Sequence, residues 1–150
     1  MDIVYQDERI VVAIKPAGVI STDVRNGMPE LLRRQLHTDC IRTVHRLDAP
    51  VSGLMVLARS SRAAAEISAQ IRDGAFSKAY LAVLRGVPQE MSGELIDLLG
   101  RDRERRMTYV ADAPGKGVQE ARLRYEVLAV RDGLSLVRVE PVSYTHLRAH

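Results

Sequence analysis

The sequence predicts an α+β fold in which a largely antiparallel mixed β-sheet is flanked by helices. Three observations predict it. Short Val/Ile/Leu-rich runs recur and stop at Pro or Gly, two stretches carry apolar residues at helical spacing, and the C-terminal third reads as strands joined by a tight turn. The chain has 150 residues, about one domain by length, and a domain of that size buries roughly two-thirds of its unfolded surface. Its 46% apolar and 27% charged residues exclude wholesale disorder. Aromatic content is only 4%, with no Trp and Phe76 as the single Phe, so Val, Leu, Ile and Ala must build most of the core.

Each element follows in order. Ile10 to Ile14 is a short apolar run that reads as a buried strand and stops at the Lys15-Pro16-Ala17-Gly18 turn signal. Met28 to His37 carries Leu31, Leu32 and Leu36 at helical spacing, with Pro29 suited to a first helical turn. Leu54 to Ala58 is a second apolar strand. Ser60-Ser61 can cap the helix that follows, in which Ala64, Ala65, Ile67, Ala69 and Ile71 supply the expected buried face and Gly74 the end. Ala79 to Leu84 reads as a strand closed by Gly86-Val87-Pro88. Arg101 to Arg106 is charge-dense and reads as a solvated loop or an RNA-facing edge. Ala121 to Val130 and Leu134 to Val139 form a hairpin turning at Arg131-Asp132-Gly133. With no internal repeat or low-complexity block, one domain is expected.

Net charge is +3 and the isoelectric point about 9.3. Only Lys15, Lys78 and Lys116 of the 22 basic residues are lysines. Arginine suits bidentate phosphate contacts and base stacking, so the skew fits a nucleic-acid partner; GC-rich coding DNA gives the same bias. The lone Cys40 forms no intramolecular disulfide. No apolar run reaches the roughly 20 residues needed to span a bilayer, and Met1 to Arg9 holds no signal-peptide core. A cytoplasmic protein, monomeric by default, is expected.

The strongest chemical signal is His45-Arg46-Leu47-Asp48, followed by Ser52-Gly53. A cation within about 4–6 Å keeps a carboxylate ionised, which suits a nucleophile or general base. The plain alternative is a surface Arg–Asp pair beside a turn. His37, Cys40 and His45 could suggest zinc, but a structural site wants four ligands and no second pair exists, so no metal is expected. Gly115-Lys116-Gly117 lacks the spacing of a phosphate-binding loop. A kinase catalytic loop is excluded by the absence of its companion motifs.

His-Arg-Leu-Asp followed by Ser-Gly-Leu resembles the signature of the RluA-like family of RNA pseudouridine synthases. Asp7 to Gly18 is similar to that family's first motif, a strand ending in Lys-Pro-x-Gly. Lys78-Ala79-Tyr80, ahead of Val83 and Gly86, resembles its Lys-x-Tyr strand, and Arg101 to Val118 the segment that follows. The resemblance runs from about Val4 to Pro141, and its specificity lies in four motifs in one order. Val51 departs from it, since a threonine is common there.

The resemblance implies a pseudouridine-synthase catalytic domain acting on rRNA or tRNA, with no metal and no organic cofactor. By position it makes Asp48 the catalytic residue. Arg46 would fill the space left by a flipped uridine or hold the adjoining phosphate. Tyr80 would pack on the target base, with a half-buried strand tyrosine as the plain alternative. Lys78 and His45 are further candidate substrate contacts. For Lys15 a solvated strand end is the expectation. A non-catalytic RNA-binding relative of the same fold is the competing reading.

The C-terminus departs from the family. Relatives continue with a Gly-Arg-Thr-His-Gln-Ile-Arg segment whose first arginine pairs with the catalytic aspartate, and here Tyr144 stands in that arginine's place. Residues 142–150 also resemble a translated sequencing adapter. The expectation is therefore a partial catalytic domain over 1–141, incomplete at its C-terminus, with a non-native tail over 142–150. Without its arginine, Asp48 is expected to be a buried unpaired charge, and the 150-residue chain inactive and poorly soluble with a sheet edge uncovered.

Overall fold

The computed structural model describes residues Met1–Val142; the tail expectations at Tyr144 and its neighbours lie outside the described residues. The chain divides into two compact units, one over Met1–Ala75 and one from Phe76 onward.

The first unit carries a four-stranded sheet and two helices. Its strands are β1 (Ile3–Gln6), β2 (Ile10–Lys15), β3 (Arg42–Thr43) and β4 (Gly53–Ala58), ordered β1-β2-β4-β3. All neighbours are antiparallel, with Ile10 opposite Ala58 and Lys15 opposite Gly53 in the central pair. Inward residues alternate as strand geometry demands: Val11 and Ala13 from β2 and Met55 and Leu57 from β4 are fully buried. Helix α1 (Met28–Leu36) has Pro29 in its first turn and ends where His37 adopts a left-handed conformation at φ 52°, a common C-terminal stop. It buries Met28, Pro29 and Leu32. Leu31 and Leu36 are only half-buried.

Helix α2 (Ser61–Arg72) is capped by Ser60, whose hydroxyl accepts a hydrogen bond from the Ala63 amide at 3.0 Å. Its burial departs from expectation. Only Ala63 is buried; Ala64, Ile67, Ala69 and Ile71 are half-covered and Ala65 is exposed. Helical periodicity identifies which residues share a face, but it carries no information about how much of that face a partner covers.

The second unit is a five-stranded sheet of β5 (Tyr80–Arg85), β6 (Ser92–Asp102), β7 (Met107–Val110), β8 (Val118–Arg131) and β9 (Leu134–Val142), ordered β5-β9-β8-β6-β7. Every pairing is antiparallel. The hairpin read from Arg131-Asp132-Gly133 is present: Arg131 pairs with Leu134, and Asp132 and Gly133 have φ of 52° and 77°. A two-residue turn with both central φ positive matches the twist of the strands it joins, and glycine takes that conformation without steric cost.

The expected α+β class with largely antiparallel pairing is present; one detail differs, in that the strands form two sheets rather than one, with no parallel pair among the described residues. The Arg101–Arg106 stretch ends β6 and forms the exposed turn 103–106 of a β6–β7 hairpin, with Asp102 paired to Met107, so the solvated loop is present and connects two strands. Among the described residues nearly all of the core lies in the first unit, and of the fully enclosed apolar side chains only Val137 belongs to the second.

Candidate active site

The site is built on the irregular stretch between β3 and β4. His45 continues the sheet with its side chain: beyond Thr43 opposite Leu57, its Nε2 accepts the Val56 amide at 3.0 Å. The imidazole thus takes the place of a strand carbonyl where β3 has ended. Leu47 then turns inward and is 8% exposed, while Arg46 and Asp48 on either side of it are exposed. One apolar residue therefore anchors the loop, and its two charged neighbours project to the surface.

The main chain around Asp48 is held on both sides. Before it, the buried Ser21 hydroxyl donates to the Leu47 carbonyl at 2.9 Å and accepts from the Leu47 amide at 3.3 Å. After it, the Ala49 carbonyl accepts from Lys15 Nζ at 3.0 Å and from the Gly18 amide at 2.7 Å. The Val51 amide closes the turn on the Asp48 carbonyl at 2.9 Å. Residues two to three dozen positions apart thus fix this short segment, with no regular secondary structure of its own.

Lys15 corrects the expectation of a solvated strand end. It is 0% exposed, and its ammonium donates to the carbonyls of Pro16, Val19 and Ala49 at 3.0, 2.7 and 3.0 Å. Three N–H groups meet three acceptors, the arrangement a buried ammonium requires. Burial pushes the Lys15 pKa below its ordinary value, and the charge of nearby Asp48 opposes that shift. No ion pair joins Arg46 to Asp48 among the described residues.

The expected burial cost for an unpaired Asp48 does not arise, because this side chain lies in water rather than in the protein interior, where desolvation is the main penalty. His45, Arg46 and Asp48 share one loop of the first unit. Lys78 and Tyr80 belong to the second unit: Lys78 Nζ sits 5.8 Å from the centre of the Phe76 ring, within cation–π range, and Tyr80 opens β5, half-buried.

The segment that carries Ser21 is itself a closed loop. The Met28 amide donates to the Ile20 carbonyl at 2.8 Å and the Gly27 amide to the Val24 carbonyl at 2.9 Å. A side chain on Gly27 would run into the Thr22 carbonyl, so only glycine closes this loop. Asp23 ties it to α1 through two hydrogen bonds with Arg33, at 2.7 and 3.1 Å. Those bonds hold the Asp23 carboxyl below its usual range. Sequence reasoning missed Ser21 and Gly27. Their only signal was proximity to the Lys-Pro-x-Gly motif.

No cluster of three or more His, Cys, Asp or Glu side chains able to hold a metal ion occurs among the described residues. Among the described residues no helix is long and apolar enough to cross a membrane.

Comparison with known sequences and structures gives the class of protein to which this fold belongs. A family model described as RNA pseudouridylate synthase matches residues 9–144. An uncharacterised RNA pseudouridine synthase of Zymomonas mobilis is 35% identical, covering 99% of this chain and 70% of its own length. The tRNA pseudouridine synthase C of Yersinia pestis is 34% identical, covering 97% of this chain and 58% of its own. Among solved structures, human RNA pseudouridylate synthase domain containing 1 superposes with a TM-score of 0.80 at 26% identity, over 97% of this chain and 61% of that one. The chain belongs to the RNA pseudouridylate synthase family. It spans well under the full length of these relatives.

Proposed function

We propose that this chain carries the catalytic aspartate of an RNA pseudouridine synthase and that Asp48 is that residue. The observation that carries the reading is the geometry of the Leu47–Ala49 segment: its main chain is fixed on both sides while the Asp48 carboxylate is left exposed. A group that must meet a substrate atom gains from such prior placement.

The reaction is an isomerisation. The bond between uracil N1 and ribose C1′ breaks, C5 bonds to C1′, C5 loses its proton and N1 gains one. Nothing is oxidised or reduced overall, and no cofactor is required. Asp48 acts as nucleophile or base. The uridine must leave the helical stack to expose C1′; Arg46 fills the gap or holds the adjoining phosphate, a role its exposure supports. Tyr80 packs against the base and Lys78 is a further substrate contact, while His45 acts through its grip on β4, holding the loop that carries Asp48.

The substrate is tRNA or rRNA. The Yersinia pestis relative is named for tRNA, so tRNA is tested first. The arginine-rich surface supplies the salt-dependent part of RNA affinity. The protein works as a cytoplasmic monomer. The test is pseudouridine formation in total tRNA and rRNA, by this chain and by the protein read in full from its source DNA, each with an Asp48→Asn control.

One observation favours a second reading. Asp48 makes no ion pair among the described residues, which also suits a non-catalytic RNA-binding relative. The control separates the two. Asp48→Asn removes turnover and spares binding in an enzyme, whereas a binder has no turnover to lose.

A further inference from the structure

We infer that Ser21 is a positioning residue for Asp48: one buried hydroxyl closes both main-chain hydrogen bonds of Leu47 and so fixes the backbone from which the Asp48 carboxylate projects. The inference rests on the proposed catalytic role of Asp48.

Ser21 is 1% exposed. Leu47 is nearly as buried, and neither it nor Asp48 lies in a strand. Buried main-chain groups outside a ladder need partners from elsewhere. The Ser21 hydroxyl has one hydrogen to give and lone pairs to receive with, and it uses both on the same residue, at 2.9 Å to the carbonyl and 3.3 Å from the amide. It stands in for the neighbouring strand that Leu47 lacks.

The other side of Asp48 does not depend on Ser21, since Lys15 and Gly18 hold Ala49. Loss of the hydroxyl therefore frees the main chain immediately before the carboxylate and leaves the turn after it in place. The loop that delivers Ser21 is closed at its base by the Met28–Ile20 hydrogen bond and braced by Asp23 on Arg33. The hydroxyl thus arrives from a fixed frame.

The test compares Ser21→Ala, Ser21→Thr and the unaltered protein in the full chain. Amide hydrogen exchange followed by NMR reads the Leu47 amide, with the Val12 amide of β2 as internal reference. We expect Leu47 exchange to accelerate by about tenfold or more in Ser21→Ala with Val12 unchanged. In turnover on RNA, kcat should fall by about tenfold or more while KM stays within about twofold. Ser21→Thr, which keeps the hydroxyl, should restore both readouts.

Leu47 exchange within about twofold of the unaltered protein, or faster exchange with unchanged kcat, overturns the role of Ser21. If the protein read in full from its source DNA makes no pseudouridine, the catalytic reading of Asp48 is overturned, and the role of Ser21 with it. Should Ser21→Ala fail to fold, Ser21→Cys decides: a weaker hydrogen-bonding group of similar size must fall below Ser21→Thr in kcat, and equality between them overturns the inference.

Discussion

A lysine at the end of a strand ordinarily keeps its ammonium in water. Lys15 gives up that hydration for three carbonyls, one of them on the residue after Asp48. Replacing it with methionine should leave those carbonyls short of partners and lower stability by about 3 kcal/mol, read as a shift in the urea unfolding midpoint. The pH dependence has a definite sign. Burial lowers the Lys15 pKa in the folded protein, so the unfolded chain binds its proton more tightly. The unfavourable contribution is complete below the folded pKa and is relieved as pH rises through it toward the ordinary lysine value. The stability advantage of the unaltered protein over Lys15→Met should therefore grow as pH rises toward the ordinary lysine value. An advantage that shrinks over that rise contradicts the account. None of this was legible from the position of Lys15 in the chain, because its partners are set by how the 15–19 turn meets the Asp48 loop. The His-Arg-Leu-Asp tetrad singled out Asp48 as a candidate, whereas nothing in the sequence marked Ser21, whose contact spans 26 positions.

At the scale of elements, the strands that read correctly are those with one buried face or a strong stop. β2 and β4 are continuous apolar runs, and the β8–β9 hairpin announces itself through Asp132-Gly133. β1 escaped because four residues of mixed polarity carry too little pattern. The β6–β7 hairpin escaped because β7 is exposed along its whole length, and a strand without a buried face shows no alternation to find. Two local devices give predictions. Ser60→Ala should cost about 1 kcal/mol by uncapping α2, and unfolding should stay cooperative. Gly27→Ala forces a side chain against the Thr22 carbonyl, an overpacking that costs about 1–3 kcal/mol. If urea denaturation finds Gly27→Ala as stable as the unaltered protein, the closed-loop description of residues 20–28 is wrong.

At the scale of the molecule, the two units differ in how well they cover themselves. In the second sheet, Leu95 and Ile96 are adjacent, point to opposite faces, and are 49% and 51% exposed, so neither face is fully covered there. β5 is an edge strand with Leu81 and Val83 about two-thirds exposed. An apolar edge with unpaired main-chain groups templates association. The double substitution Leu81→Lys and Val83→Lys should reduce concentration-dependent aggregation, measured by light scattering, and leave the circular dichroism spectrum unchanged. Equal aggregation in both proteins would remove β5 as its source.

The most direct test of the account is pseudouridine formation in RNA, followed by tritium release from uridine C5, for the protein read in full from its source DNA and for its Asp48→Asn variant. The account predicts turnover in the first, none above background in the second, and RNA affinity within about twofold between them. Turnover that survives Asp48→Asn would contradict the assignment of Asp48 as the catalytic residue.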